Sequence, residues 1–375
     1  MNAETLIAAV TLVTILISLL LAVFLLSVRT ERKLSNQLFA AFLILTAIDI
    51  FGVIATPETI FFGKLDVFRS MMIFLHLPVF YLYILSVCYA DFSLQKKDLL
   101  HGIPFVLVVA FLALDFLTID HDSKQSIFDN QQQVVFFKLV FTSLHIQVFT
   151  YLFLCFKILL RTRKLYVENY SGEQFESYKW LFQLITALTI FYVLALVKNV
   201  AKFSEESTLS EWFRTVLLIF ELLVLCGYLF KALSKPTLFR GINSGLQLVS
   251  GSQVNESDTL STDLPKIEEY MQTEKPYLDP SVTIQQVADG VNIPVRELSL
   301  LINKQIGKHF FDFVNEYRIA EAKKILADVE QQKLTVLEIL YSVGFNSKSS
   351  FNTAFKKHTG TTPTSYRKSL IINKL

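Results

Sequence analysis

Basic, amide and hydroxyl side chains recur on one face of two short segments late in the chain, and these are the groups that bind phosphates and base edges. In the first segment Arg296, Ser299 and Asn303 fall at helical spacing, with Lys304 and Lys308 following; in the second, Lys348, Ser349, Asn352, Thr353 and Lys356 do so, beside Lys357. Guanidinium and amide groups suit base edges, and ammonium groups neutralise phosphate, so the expected chemistry is binding that weakens with salt. Another polar set, Asp49, His76, Asp115, Lys138, His145, Lys198 and Glu221, lies inside long apolar runs, where ionisable groups are costly and mark candidate sites. Their depth predicts a polar cavity with Asp49 and Glu221 as its deepest carboxylates, Lys138 and Lys198 as candidate partners, and Asp49, His76, His145, Lys198 and Glu221 as candidate signal-binding residues. A plainer reading has Asp115, Lys138 and Lys198 near helix ends, snorkelling to an interface.

The DNA-type faces need helices to carry them, and local signals supply these. Thr283-Ile284-Gln285-Gln286 and Thr335-Val336-Leu337-Glu338 both have the hydroxyl and the amide or carboxylate of a capping box. Each begins a short apolar helix, which is followed by a turn (around Gly290-Val291-Asn292 and around Val343-Gly344-Phe345) and a second helix. In the second helices Leu298, Leu301 and Ile302, and Phe351, Ala354 and Phe355, stand at core-facing positions. Leu298 and Phe351, Ile302 and Phe355, and Gly307 and Gly360 are each 53 positions apart, so the two units share one design, with both glycines where a helix needs a left-handed cap. Between them, residues 310–327 read as one amphipathic helix with Phe310, Val314, Tyr317, Ala322, Ile325 and Leu326 on its apolar side. Reading helices held by such a rod would enter successive major grooves about 34 Å apart.

Residues 307–367 carry Tyr317-Arg318, Ala322, Val343-Gly344-Phe345, Phe351, Ala354-Phe355-Lys356-Lys357, Gly360 and Thr362-Pro363-Thr364-Ser365-Tyr366-Arg367. This pattern resembles the DNA-binding domain of the AraC/XylS transcription regulators over about the last 100 residues. The resemblance implies a bacterial regulator that binds double-stranded promoter DNA, often as a homodimer, with RNA polymerase as a further partner. Pro294, Leu300, Ile302-Asn303 and Leu340 depart from the family pattern. Leu300 replaces an arginine common in the first reading helix, which shifts the expected base contacts to Arg296 and Asn303.

Upstream, the composition is that of a membrane protein. The 375 residues are 52% apolar and 18% charged, with 34 Phe, the mean hydropathy is +0.45, and the apolar excess lies before about Ser234. Residues 6–28, 37–56, 69–90, 99–117, 134–160, 179–203 and 212–233 form seven candidate spans of about 20 residues, the length a bilayer requires. Basic residues gather in alternate connections (Arg29, Arg32 and Lys33; Lys96 and Lys97; Arg161, Arg163 and Lys164; Lys235 and Arg240), which predicts an N-out, C-in arrangement in a bacterial inner membrane. The run 6–28 lacks a basic start and is read as a retained span rather than a signal peptide. Cys88, Cys155 and Cys226 sit in apolar runs without zinc spacing, and Asp120-His121-Asp122 reads as a solvated loop. The net charge of +2 discriminates nothing.

The expected fold is all-α: a seven-helix transmembrane bundle over residues 1–233, a flexible linker over 234–265, and a cytoplasmic domain with two helix-turn-helix units over 266–375. The expected function is a membrane-anchored transcription regulator responding to a small-molecule or membrane signal. No cofactor is expected. Without HExxH, GxSxG or paired Gly/Pro-interrupted segments, an enzyme or transporter with an appended autoregulatory domain has no positive residue set, but it stands as the alternative. A variant of the regulator releases its soluble part by cleavage in the linker.

Overall fold

The computed structural model describes residues 3–28, 33–54, 68–89, 91–118, 131–170, 175–203, 207–234, 264–328, 330–331 and 333–372. The described residues form helices and contain no strand; they fall into two compact units, residues 1–160 with 177–244, and residues 161–176 with 245–375. The expected linker, apart from Ser234 at its start and Leu264 and Pro265 at its end, lies outside the described residues, as do His121 and the loop around it.

The first unit contains α1 (Ala3–Ser27), α2 (Lys33–Phe51), α3 (Ile73–Cys88), α4 (Ile103–Thr118), the greater part of α5 (Gln131–Asn169), α6 (Phe175–Phe203) and α7 (Ser207–Ser234). Among the described residues, five stretches are long and apolar enough to cross a membrane: Thr5–Ser27, Lys33–Phe51, Phe68–Cys88, Lys138–Asn169 and Tyr178–Ala201. The expected span 99–117 is built differently. A 3-10 turn occupies Lys96–Gly102, so the α-helix starts only at Ile103 and runs 16 residues, and Gln95 N donates to Asp98 Oδ2 at 2.8 Å at the start of the turn. The seventh candidate falls on the 28 residues of α7.

Helix α1 buries hydroxyls beside Leu21 and Ala22 and turns other apolar side chains outward. Thr11, Thr14 and Ser18 are fully buried on one face of α1, while Leu12, Leu16, Leu20 and Val23 on the other are more than half exposed. The three hydroxyls donate to the carbonyls of Ile7, Val10 and Thr14 one turn back, at 2.7 to 2.8 Å, so their burial leaves no donor unmet. Small hydroxyl and alanine residues let α1 approach α2 and α7 closely, a pattern of helix packing in lipid.

The second unit contains α8 (Leu264–Thr273), α9 (Ile284–Val291), α10 (Val295–Leu300), α11 (Phe310–Ala327), α12 (Val336–Ser342), α13 (Lys348–Thr359) and α14 (Pro363–Ile372), together with the end of α5. Here Tyr170 forms an isolated antiparallel bridge to Thr283. The unit has two cores. Ile267, Met271, Val287, Leu298, Ile302, Phe310 and Val314 fill the first, and Ile319, Ala322, Leu326, Ile339, Phe345, Phe351 and Phe355 fill the second. Helix α11 belongs to both, its first half to one and its second half to the other, as the apolar stripe from Phe310 to Leu326 leads one to expect.

Candidate functional site

Both capping boxes form. Gln286 N donates to Thr283 Oγ1 at 3.3 Å and Thr283 N donates to Gln286 Oε1 at 2.8 Å; the second box closes at 3.1 Å (Glu338 N to Thr335 Oγ1) and 2.7 Å (Thr335 N to Glu338 Oε2). Thr335 donates to Glu338 Oε2 from both its N and its Oγ1, the latter at 2.8 Å, and these two bonds hold the Glu338 carboxyl below its ordinary value of 4.5. After each first helix the chain turns through a left-handed residue, Asn292 (φ +56) in one unit and Gly344 (φ +88) in the other. The sequence placed the first turn around Gly290-Val291-Asn292, and its left-handed residue is Asn292. Gly307 (φ +71) and Gly360 (φ +75) lie beyond the second helices, at the positions marked by the 53-residue repeat.

The second reading helix, α13, presents what its spacing predicts. Lys348, Ser349, Thr353, Lys356 and Lys357 are exposed and Asn352 is half-buried, opposite the buried Phe351 and Phe355. Ser347 caps the helix through Ser350 N at 3.4 Å. Thr353 donates its hydroxyl back to Ser349 O at 2.9 Å, which leaves its oxygen to accept.

The first reading helix is arranged differently. After six residues α10 widens into a π turn over Leu301–Gln305. Arg296 and Lys304 are exposed, but Ser299 is 2% exposed and Leu300 is 4% exposed. The outward position expected for Ser299 is therefore corrected. Asn303 is half-buried and occupied: its amide donates to Ser299 O at 2.9 Å, and its Oδ1 meets His309 Nδ1 at 3.0 Å. A base edge would have to displace these partners, so of the residues expected to read bases here Arg296 alone projects without such a constraint.

Two of the lysines expected to meet phosphate hold carboxylates of α11 instead. Lys308 Nζ pairs with Glu316 at 2.5 Å and Lys357 Nζ with Asp312 at 2.6 Å. Asp312 and Glu316 are one helical turn apart, so one face of α11 ties down a lysine from each helix-turn-helix unit.

Arg318 joins the two cores and was not recognised as a structural residue from sequence. Its side chain is completely buried; Nε donates to Tyr277 O at 2.7 Å, Nη2 to Asp279 O at 2.8 Å and Nη1 to Asn315 Oδ1 at 3.3 Å. Its guanidinium also lies 5.5 Å from the Phe345 ring centre in the turn of the other unit. Gly344 is required beside it, since a Cβ there would stand 2.5 Å from Tyr277 O.

In the first unit Asp49, His76 and Glu221 line one partly open cavity of about 80 Å³, with Phe39, Phe42, Phe191, Tyr192 and Tyr228 among its walls. Arg69 donates to the Asp49 carbonyl at 2.7 Å and approaches its carboxylate at 3.9 Å. Sequence had Arg69 only as the start of a span. The structure does not bring the whole expected set together: Lys198 is not among the lining residues, and neither is His145, whose Nδ1 meets Phe141 O at 2.7 Å within its own helix. Lys138 is exposed, and the side chain of Asp115 lies outside the described residues.

Comparison with known proteins bears on the second unit alone. Residues 287–369 match a family described as a helix-turn-helix domain. The chain is 35% identical over 91 residues to an uncharacterised HTH-type transcriptional regulator of Pseudoalteromonas carrageenovora, covering 23% of this chain and 49% of that protein. It is 36% identical over 73 residues to the HTH-type transcriptional regulator GlxA of Rhizobium meliloti, covering 20% of this chain and 22% of that one. Thus the chain spans about half the length of the first relative and about a fifth of the second. Among solved structures it is similar to the C-terminal domain of AraT, a response regulator of Geobacillus stearothermophilus, at 28% identity over 28% of this chain and 85% of that one, with a TM-score of 0.25. Residues 287–369 are a helix-turn-helix domain similar to those of transcription regulators.

Proposed function

We propose that the chain is a membrane-anchored transcription regulator of the AraC/XylS type: the helix-turn-helix domain binds promoter DNA from the cytoplasmic side and the apolar helical unit receives the signal. The observation that carries the DNA half is the match over residues 287–369 together with α13, whose one face offers Lys348, Ser349, Thr353 and Lys356 to solvent over a core of Phe351 and Phe355. The membrane half is supported by the five long apolar helical stretches and by their exposed apolar faces, such as Leu16, Leu20, Ile146 and Phe153.

In this reading Arg296, Lys348, Ser349, Asn352 and Thr353 contact the bases or their flanking phosphates, and Lys304 and Lys356 neutralise phosphate. A homodimer would set the spacing of two such domains, and a signal that favours one packing of the apolar helices would shift the population of DNA-competent dimers. Helix α5 contributes residues to both units and so offers a covalent route for that shift.

The test is a genome-wide map of sites bound by the tagged full-length protein, paired with membrane fractionation. Discrete promoter sites bound by protein that remains in the membrane fraction are expected. Random occupancy would sink the DNA reading, and a bound fragment of the size released beyond Gly241 would replace tethering with release by cleavage.

A further inference from the structure

We infer that the cavity among α2, α3, α6 and α7 is a binding site for a hydrophobic amine, its protonated nitrogen held by Glu221, Asp49 and His76 and its apolar body by the surrounding rings. This rests on the reading of the apolar unit as the signal receiver, and it names the chemistry of that signal.

Three observations within that unit point to an ammonium group. First, two carboxylates, Asp49 and Glu221, line the cavity, while no Lys or Arg is among its described lining residues. A guanidinium beside the cavity, Arg69, lies 3.9 Å from the Asp49 carboxylate and donates at 2.7 Å to the Asp49 carbonyl. A cavity so lined offers a ligand's positive charge two carboxyl groups and no competing ammonium or guanidinium among its described walls.

Second, His76 is 5% exposed and its Nε2 has no hydrogen-bond partner, although the ring lines the cavity. A buried polar atom without a partner is uncommon and calls for a ligand group. In the tautomer protonated at Nδ1, Nε2 accepts an N–H, which favours a primary or secondary amine over a quaternary one.

Third, the remaining walls are apolar and aromatic. Phe39, Phe42, Phe191, Phe220, Tyr192 and Tyr228 present rings whose faces attract a cation, and Leu and Ile side chains extend the surface. An anionic ligand would be disfavoured beside Asp49 and Glu221, and a neutral one would draw less from those carboxyl groups than an ammonium does.

Trp180 provides the readout, since its ring lies 4.9 Å from that of the lining residue Tyr228. Full-length protein carrying Trp212→Phe, so that Trp180 is the remaining tryptophan, is placed in phosphatidylcholine nanodiscs and titrated with 4-phenylbutylamine, 4-phenylbutanol and 4-phenylbutyrate. The amine should bind at least about tenfold more tightly than the alcohol, the size expected of hydrogen bonds to charged groups, with the carboxylate weakest. Glu221→Gln should bring the amine to the level of the alcohol while leaving the alcohol's own affinity in place, and His76→Phe should weaken the amine several-fold. Equal affinities for amine and alcohol in the parent protein, or an amine preference that survives Glu221→Gln, would overturn the assignment. The parent ranking needs no folded variant. Promoter occupancy is measured in the same samples: amine binding with unchanged occupancy supports the ligand class and counts against the sensor reading, whereas absence of an amine preference overturns the ligand class whatever the DNA does.

Discussion

Arg318 shows how much one side chain can hold in this domain. It donates to two carbonyls of the turn after α8 and lies against the Phe345 ring, so Arg318→Leu would take the donor from the Tyr277 carbonyl, while Asp279 O keeps Val282 N at 3.3 Å. A buried acceptor left unmet carries a penalty of about 1 to 3 kcal/mol, so a loss of about 2 kcal/mol is expected, measured by urea titration of a segment beginning at Leu264. Gly344→Ala should destabilise by about 2 kcal/mol or more in the same titration, because its φ of +88° and the nearby Tyr277 carbonyl both exclude a Cβ. Asp312→Asn acts in the other direction: it frees Lys357 from its 2.6 Å ion pair. If the lysine then reaches phosphate, DNA affinity rises and the slope of log affinity against log salt steepens by about 1, as a salt series of filter-binding measurements would reveal. An unchanged slope would place Lys357 outside the DNA interface.

The capped helices make a test at the scale of elements. Thr335→Ala removes the acceptor for Glu338 N and the donor N–H pairing depends on the same box, so a loss of about 1 kcal/mol is expected, with Thr335→Ser restoring most of it. The pH dependence follows from the same contacts. Bonds from Thr335 lower the Glu338 carboxyl; burial raises Glu321, but hydrogen bonds from Lys275 and Lys324 outweigh burial and lower it too. Folded values below the ordinary 4.5 mean that this stability is fully present above pH 4.5 and is lost as the pH falls through the lower folded values. Urea midpoints should therefore fall on acidification below 4.5, and the fall should be smaller in Thr335→Ala. The two reading helices are not equivalent as elements. Helix α13 keeps a regular turn over its 12 residues, while α10 passes into a π turn and buries Ser299 and Leu300. Lys348→Ala should consequently reduce promoter affinity more than Asn303→Ala, whose side chain already bonds within the protein.

For the whole molecule, the two units differ in what their helices turn outward. In the first unit α1 buries Thr11, Thr14 and Ser18 and turns Leu12, Leu16 and Leu20 outward, whereas the second unit buries Phe310, Phe351 and Phe355 and leaves Lys304, Lys348 and Lys356 exposed. Detergent extraction should therefore be required to recover the full chain, whereas a segment beginning at Leu264 should be recovered without detergent. Recovery of the full chain in a salt wash would contradict the membrane reading.

Sequence by itself determined the elements that depend on neighbours along the chain. The two capping boxes, the left-handed glycines at 307 and 360, the apolar stripe of α11 and the long apolar runs follow from spacing, because a cap or a helix face needs only residues three or four positions away. It also named Asp49, His76 and Glu221, since a charge in an apolar run is conspicuous wherever it points. Tertiary structure decided which of these residues meet. That Arg69 reaches Asp49, that His145 turns to its own helix, that Ser299 is buried and that Arg318 bonds carbonyls about 40 positions away depend on how helices rotate and cross. Periodicity fixes which side of a helix is apolar, but the partner of a polar side chain on a distant element is set by packing alone.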